Sequence, residues 1–349
     1  MTATHFRLTR RAMLAGTGAA AAATFVPKRI FAQSAKTPVK FSLNLPRNGT
    51  NSPFIYALDK GYFAAEGIEI TAMDPASGAD ALQRAATNTY DVSFADLTSL
   101  GEFYASFPDQ VPLAVFNIYK ITPAAIVSWK SNNITKPADL VGKTVGGPLT
   151  DNAYKLFPVF FRANGLDPAT VKFNNVDLRL RESQLMRREV DAVTGFDSTV
   201  WINLKKLGVK REDVAIMLYA EHGLDFYSNS VVVSRKFLKD NEAAIPGICR
   251  AVCKGWQDAI ANPKAVTDAL VKADALVQPE IEQDRLQWVV DNQVKTAEGR
   301  QIGLGAVEPG RLQRTIATIA KAYDLPKVAP VEAIWSAKYL PPMDMRKIA

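Results

Sequence analysis

Residues 39–72, VKFSLNLPRNGTNSPFIYALDKGYFAAEGIEITA, decide the fold. Apolar and polar residues alternate over 39–45, the two-residue period of a half-buried strand. A polar loop follows over 46–52, and Pro53 suits the first position of a helix. The apolar run 54–63 then reads as a helix, punctuated by Gly61 and Gly67, and 67–72 reads as a second strand. The same rhythm continues, with Ser77 and Gly78 preceding a helix over 80–87, a third strand over 90–94 and a fourth over 111–119. Strand–helix–strand traffic of this kind predicts an α/β fold with a mostly parallel sheet covered by helices on both faces.

A second run of the same type begins after Pro123. Strands are expected at 124–129, 171–176, 191–194 and 214–218, with a short turn and then a strand within 136–145, and helices at 152–164, 182–188 and 198–207. After Tyr227 the pattern changes to one strand, 230–234, and then helices over 243–261, 263–272, 278–292 and 309–323. Two α/β units with a helical tail predict two lobes. Residues 38–120 and 225–349 form lobe I and 121–224 form lobe II, with the chain crossing near 119–123 and 221–227.

The N-terminal residues read as an export leader. Arg10 and Arg11 sit in Thr9-Arg10-Arg11-Ala12-Met13-Leu14, ahead of a weakly apolar, alanine-rich run closed by Lys28 and Arg29. This is the layout of a twin-arginine signal, 1–32, cut after Ala32 or Ala35. It places the working protein outside the cytoplasm, in the periplasm. The chain has 349 residues and a formal charge of +7, of which Arg7, Arg10, Arg11, Lys28 and Arg29 contribute five, so the remainder carries only +2. That small residue of charge argues against a nucleic-acid partner. At 48% hydrophobic and 22% charged, the rest has the make-up of a globular domain.

Most catalytic chemistries lack their raw material. After the leader the single histidine is His222, and the two cysteines, Cys249 and Cys253, lie four apart on one face of a helical pattern and read as small core residues. No zinc spacing, glycine-rich dinucleotide loop, Walker loop or serine elbow occurs. The expectation is therefore no enzyme, no metal and no cofactor.

Polar residues at strand ends stand out instead. In open α/β sheets the ligand sits beyond the carboxyl ends of the strands. Here those ends hold Asn44, Asn51 and Ser52, then Ser77 and Gly78, then Asp96, then Thr150, Asp151 and Asn152, then Phe196 and Asp197. Several would serve equally as helix caps. Taken together they predict one polar cradle. Asp96, Asp151, Asp197 and Asp225 give it acids. Arg179 and Arg181 alternate within Val176-Asp177-Leu178-Arg179-Leu180-Arg181, which as a strand would turn both to one side, either as a solvated face or as a clamp for a carboxylate or sulfonate. Tyr119 and Phe196 are candidate walls for a flat ligand.

These residues also resemble a known family. Residues 53–70, with Lys60-Gly61-Tyr62-Phe63 and Glu66-Gly67-Ile68, are similar to the opening of periplasmic solute-binding proteins of ATP-binding-cassette importers for nitrate, sulfonates, taurine and thiamine pyrimidine precursors. Asp139-Leu140-Val141-Gly142-Lys143 and Val190-Asp191-Ala192 match two further turns of that family, although Glu189 stands where glycine is usual. The resemblance implies a type II periplasmic binding protein: two α/β lobes joined by a hinge, closing on one small molecule. By carry-over the ligand would meet Asn51, Ser52, Ser77, Gly78, Asp96 and Thr150 to Asn152. It also implies a monomer that delivers its ligand to a membrane permease. The aromatic common in the first loop of pyrimidine binders is missing from 44–50, and the cysteine-rich motif of pyrimidine synthases sharing the fold is absent. The acids favour a planar nitrogenous solute such as an aminopyrimidine, with a sulfonate, nitrate or aromatic acid as the rival and an exported pyrimidine-modifying enzyme as the alternative from another class.

Overall fold

The computed structural model describes residues 36–348, so the leader lies outside the described residues. Its opening unit follows the sequence pattern. Strand β1 (Thr37–Ser42) is followed by a single 3-10 turn (Gly49–Asn51), helices α1 (Ser52–Asp59) and α2 (Tyr62–Ala65), and β2 (Ile68–Asp74), which pairs parallel with β1. Gly61 and Gly67 punctuate the unit as expected, with φ of 71° and 73°, a left-handed conformation that costs glycine little. The alternation in β1 buries Val39 and Phe41 completely. Phe41 lies 5.1 Å from the ring of Phe54 on α1, and Phe54 lies 4.9 Å from Phe94. This aromatic contact fixes the first helix against the sheet.

Helix α3 (Gly78–Ala86), β3 (Val92–Asp96), α4 (Leu97–Ser106) and β4 (Leu113–Asn117) complete the first run. The chain then crosses to β5 (Ala124–Trp129), β6 (Thr144–Gly147), α5 (Asn152–Ala163), β7 (Lys172–Asn175), α6 (Arg181–Met186), β8 (Ala192–Phe196), α7 (Asp197–Lys206) and β9 (Val214–Leu218). It returns through β10 (Asn229–Val233) and ends in helices, including α8 (Arg235–Asp240), α9 (Ile245–Ala261), α10 (Pro263–Ala273), α11 (Pro279–Val289), α12 (Ala297–Ile302) and α13 (Pro309–Ala322).

Two five-stranded sheets result, ordered β2-β1-β3-β10-β4 and β7-β6-β8-β5-β9. Both are mixed but mostly parallel, four of the five strands in each sharing one direction. In each, one strand runs against its neighbours: β10 is antiparallel to β3 and β4, and β5 is antiparallel to β8 and β9. These are the strands entered directly after a crossing from the other sheet. Neither is reached through the helical crossover that forces parallel pairing. All five residues of β3 and of β10 are buried, as expected for strands covered on both faces.

The helical tail does not stay with the first sheet alone. On α13, Leu312 and Ile316 pack with the layer over α4, whereas Ile319 joins the aromatic core around Phe157 and Phe160 of α5. Helix α11 likewise lies against both the 3-10 turn after β1 and α7. Cys249 and Cys253 are free and buried on α9, facing the first core.

Candidate ligand-binding cleft

A cavity of about 890 Å³ lies between the carboxyl ends of the two sheets. The first sheet contributes Asn44, Leu45 and Pro46 after β1, Pro75 to Ala79 after β2, and Asp96 and Ser99 after β3. The second contributes Pro148 to Asn152 after β6, Asn175 to Arg179 after β7, and Phe196 and Thr199 after β8. Asn229 joins them because β10 runs backwards and begins where β3 ends, with Asn229 opposite Asp96. The walls touch: Ser99 Oγ donates to Asn152 Oδ1 at 3.4 Å.

Helix starts supply much of the lining. Ser77 caps α3 by accepting from the backbone N–H of Asp80 at 3.2 Å. Asp96 caps α4, its Oδ1 accepting from Thr98 N at 2.8 Å and Ser99 N at 3.3 Å. Its Oδ2 accepts from Ser228 Oγ at 2.6 Å. All these donors are neutral, and burial outweighs them, so the Asp96 carboxyl is held above the usual carboxylate range. Asp151 caps α5 through Ala153 N at 2.8 Å and is also raised by burial, against the pull of Arg181.

Arg181 is the correction of most consequence. Residues 177–180 form a turn rather than a strand, because Asp177 Oδ1 accepts from Arg179 N at 2.8 Å and Asp177 O accepts from Leu180 N at 2.9 Å. Arg179 is therefore exposed, and Arg181 begins a helix with its guanidinium fully buried. Arg181 Nη2 donates to Glu182 Oε1 at 2.6 Å, and Nη1 donates to Asp151 Oδ2 at 3.2 Å and to Thr194 O at 3.3 Å. Two carboxylates thus neutralise the one cation, which leaves no open clamp for an anion. Among the described residues, Lys155 and Arg179 are the cations of the lining without a carboxylate partner.

Nine of the expected residues line this cavity: Asn44, Ser77, Gly78, Asp96, Thr150, Asp151, Asn152, Arg181 and Phe196. Five do not. Asn51 is buried under the first loop, where its Nδ2 donates to Pro46 O at 3.1 Å. Ser52 donates to Gly49 O at 2.8 Å. Tyr119 is packed edge-on against Phe94 and Trp256. Asp197 lies behind the wall, accepting from Trp288 Nε1 at 2.9 Å and Gln293 Nε2 at 3.0 Å, and burial pushes its carboxyl up to about 6. Asp225 faces outward and pairs with Arg311 at 2.5 Å. Each of these polar side chains holds a loop or crossing in place.

The reading of sequence missed Ser99, Lys155, Thr199 and Asn229. Ser99 and Lys155 lie three residues beyond Asp96 and Asn152, one helical turn along the same face, so their spacing was a usable signal. Asn229 had none, since its place depends on the direction of β10. Three polar atoms at the lining are buried without a partner: Asn44 Oδ1, Asn152 Nδ2 and Thr199 Oγ1. Buried polar atoms are almost always paired, so these are places where a ligand's donors and acceptors would be rewarded.

Neither His222 nor the two cysteines line the cavity. His222 sits in the return crossing with its ring 6.2 Å from Phe160, while the cysteines lie in the other core with burial holding both thiols well up. Among the described residues no cluster of histidine, cysteine and acidic side chains could hold a metal.

The model of the family described as NMT1/THI5 like matches residues 48–266, more than half of the chain. The chain belongs to the NMT1/THI5-like family. Among similar proteins, the riboflavin-binding protein RibY of Chloroflexus aurantiacus is 27% identical over 68% of this chain and 66% of its own length. The formylaminopyrimidine-binding protein of Halalkalibacterium halodurans is 24% identical over 68% of this chain and 72% of its own. A 4-amino-5-hydroxymethyl-2-methylpyrimidine phosphate synthase of Legionella pneumophila is 23% identical over 69% and 75%. In structure, the periplasmic aliphatic sulphonate binding protein SsuA of Escherichia coli superposes with a TM-score of 0.67 at 14% identity, covering 87% of this chain and 94% of that one. This NMT1/THI5-like chain therefore has the two-lobe α/β fold of periplasmic binding proteins.

Proposed function

We propose that this protein is the periplasmic solute-capturing component of an ATP-binding-cassette importer, exported by its twin-arginine leader, and that it binds a small planar nitrogenous solute of the thiamine-pyrimidine kind. Lobe closure about the crossings at 119–123 and 221–227 would bury the ligand and shift the open–closed equilibrium. The observation that carries this reading is the charge pattern of the cavity. Its buried arginine is cancelled by Asp151 and Glu182, whereas Asp96 has only neutral partners. A ring bearing amino groups matches such a wall, and apolar residues such as Leu45, Pro148, Val176 and Phe196 suit its faces. A volume of about 890 Å³ is generous for nitrate and ample for a substituted ring. Two relatives named for binding formylaminopyrimidine and riboflavin support the same class.

The unpaired Lys155 and Arg179 favour a second reading, a ligand with a sulfonate or carboxylate. Catalysis on a pyrimidine, the activity named for the Legionella relative, has less support, because no histidine or cysteine lines the cavity. Thermal-shift screening separates these readings. Aminopyrimidines or riboflavin at about a hundred times Kd should stabilise the protein by about 2.7 kcal/mol, a rise of several degrees in Tm. A shift with alkanesulfonates alone would reverse the ligand assignment, and conversion of a bound pyrimidine into a product would reverse the assignment as a binder.

A further inference from the structure

We infer that α11 is a strut between the two walls of the cavity, and that Glu282 and Arg285 are the positioning residues that hold those walls in one register. The helix is gripped from both sides. On one side Glu282 Oε2 accepts from the backbone N–H of Gly49 at 2.7 Å, in the loop whose beginning, Asn44 to Pro46, lines the cavity. Gly49 has no side chain for a reason: a Cβ there would collide with the Glu282 carbonyl and stand 3.0 Å from Leu286 N. The loop backbone therefore lies directly on the helix backbone. On the other side Arg285 reaches the first turn of α7. Its Nη1 donates to Ser198 O at 3.3 Å and Thr199 O at 3.4 Å, and its Nη2 donates to Asn203 Oδ1 at 3.0 Å. Thr199 is part of the opposite cavity wall.

The two grips are joined. Arg285 Nε donates to Glu282 Oε2 at 2.9 Å. Asn203 Nδ2 donates onward to Glu182 Oε1 at 3.2 Å, and Glu182 holds Arg181, which holds Asp151 at the cavity surface. One chain of polar groups therefore runs from Asp151 through Arg181, Glu182, Asn203, Arg285 and Glu282 to Gly49. The four charged links between its ends are at most 8% exposed, and acids alternate with arginines along it. Removing Arg181, Arg285 or Glu282 leaves a buried charge without its ionic partner. The five-residue π-helical turn that follows α11, Val290–Val294, accepts from Lys120 N at 2.8 Å through Gln293 O, which ties the strut to the first crossing between sheets.

Hydrogen–deuterium exchange on the purified, unliganded protein tests this. Peptides 44–52 and 196–203 should become unprotected together, each tenfold or more faster, in Glu282→Ala and in Arg285→Met, while 124–129 is unchanged. Glu282→Gln should restore protection at 44–52, because its amide oxygen still accepts from Gly49. A rise confined to one of the two peptides, or none in a folded variant, overturns the assignment. If neither variant folds, wild-type exchange in dilute urea decides. The two peptides must then share one opening midpoint, and separate midpoints overturn the assignment. No ligand enters the experiment, so it goes beyond the binding reading and can fail independently of it.

Discussion

Replacing Asp197 by asparagine should remove one pH-dependent component of stability. The carboxyl is 1% exposed, and its partners, Trp288 Nε1, Gln293 Nε2 and Ser198 N, are all neutral donors. Burial wins over these bonds and moves the carboxyl from 3.8 up to about 6. In the native state the proton is therefore held over a range in which the unfolded chain has already released it. The native state binds more protons between about pH 4 and pH 6, so stability falls as pH rises through that window. A shift of roughly two pH units corresponds to about 3 kcal/mol, complete by pH 7. Urea denaturation of both proteins from pH 3.5 to pH 7.5 isolates this effect, since other titrations cancel in the difference. The wild type should lose about 3 kcal/mol relative to Asp197→Asn across the series. Emission from Trp288, bonded to the titrating oxygen, should follow the same midpoint and lose it in the variant. A difference independent of pH, or one that moves in favour of the wild type as pH rises, would refute the reasoning.

Other outcomes follow from close approaches and unpaired charges. Gly49→Ala should cost about 1–3 kcal/mol in chemical denaturation, because its Cβ would strike the α11 backbone; an unchanged midpoint would mean the loop does not rest on that helix. Gly195→Ala should be comparably destabilising, since the added carbon would meet Val200 Cγ2 at 2.6 Å and displace the Arg181 guanidinium; a neutral result would contradict the tight seating of that arginine. Lys155→Gln with Arg179→Gln should leave the affinity for an uncharged aminopyrimidine within about threefold by fluorescence titration, whereas a tenfold loss, about 1.4 kcal/mol, would point to an anionic ligand.

Much of this architecture was legible in local pattern. The period of two in β1, proline at the start of α1 and the caps Ser77 and Asp151 gave the elements and their ends, and the ends gave nine residues of the cavity. The failures have specific causes. Alternation across Val176 to Arg181 imitates a strand, but the Asp177 side chain closes a turn that competes with it. The reversed direction of β5 and β10 depends on crossings between sheets, which leave no periodic mark. Asn51, Ser52 and Asp197 look like ligand groups because the polar residues that stabilise a loop are of the same kinds as those that bind. Glu282 and Arg285, three apart on a helix, look like a solvated pair; the partner of Glu282, Gly49, lies 233 residues away.

Isothermal titration with 4-amino-5-hydroxymethyl-2-methylpyrimidine and with riboflavin, on the wild type and on Asp96→Asn, tests the central claim most directly. Asparagine can keep the cap on Thr98 and its contact with Ser228 while losing the charge, so the fold should survive. The account predicts one site for at least one of these rings and a ten- to hundredfold weaker affinity in the variant, the worth of about one charge-assisted hydrogen bond. Binding of neither ring, or equal affinity in both proteins, would contradict it.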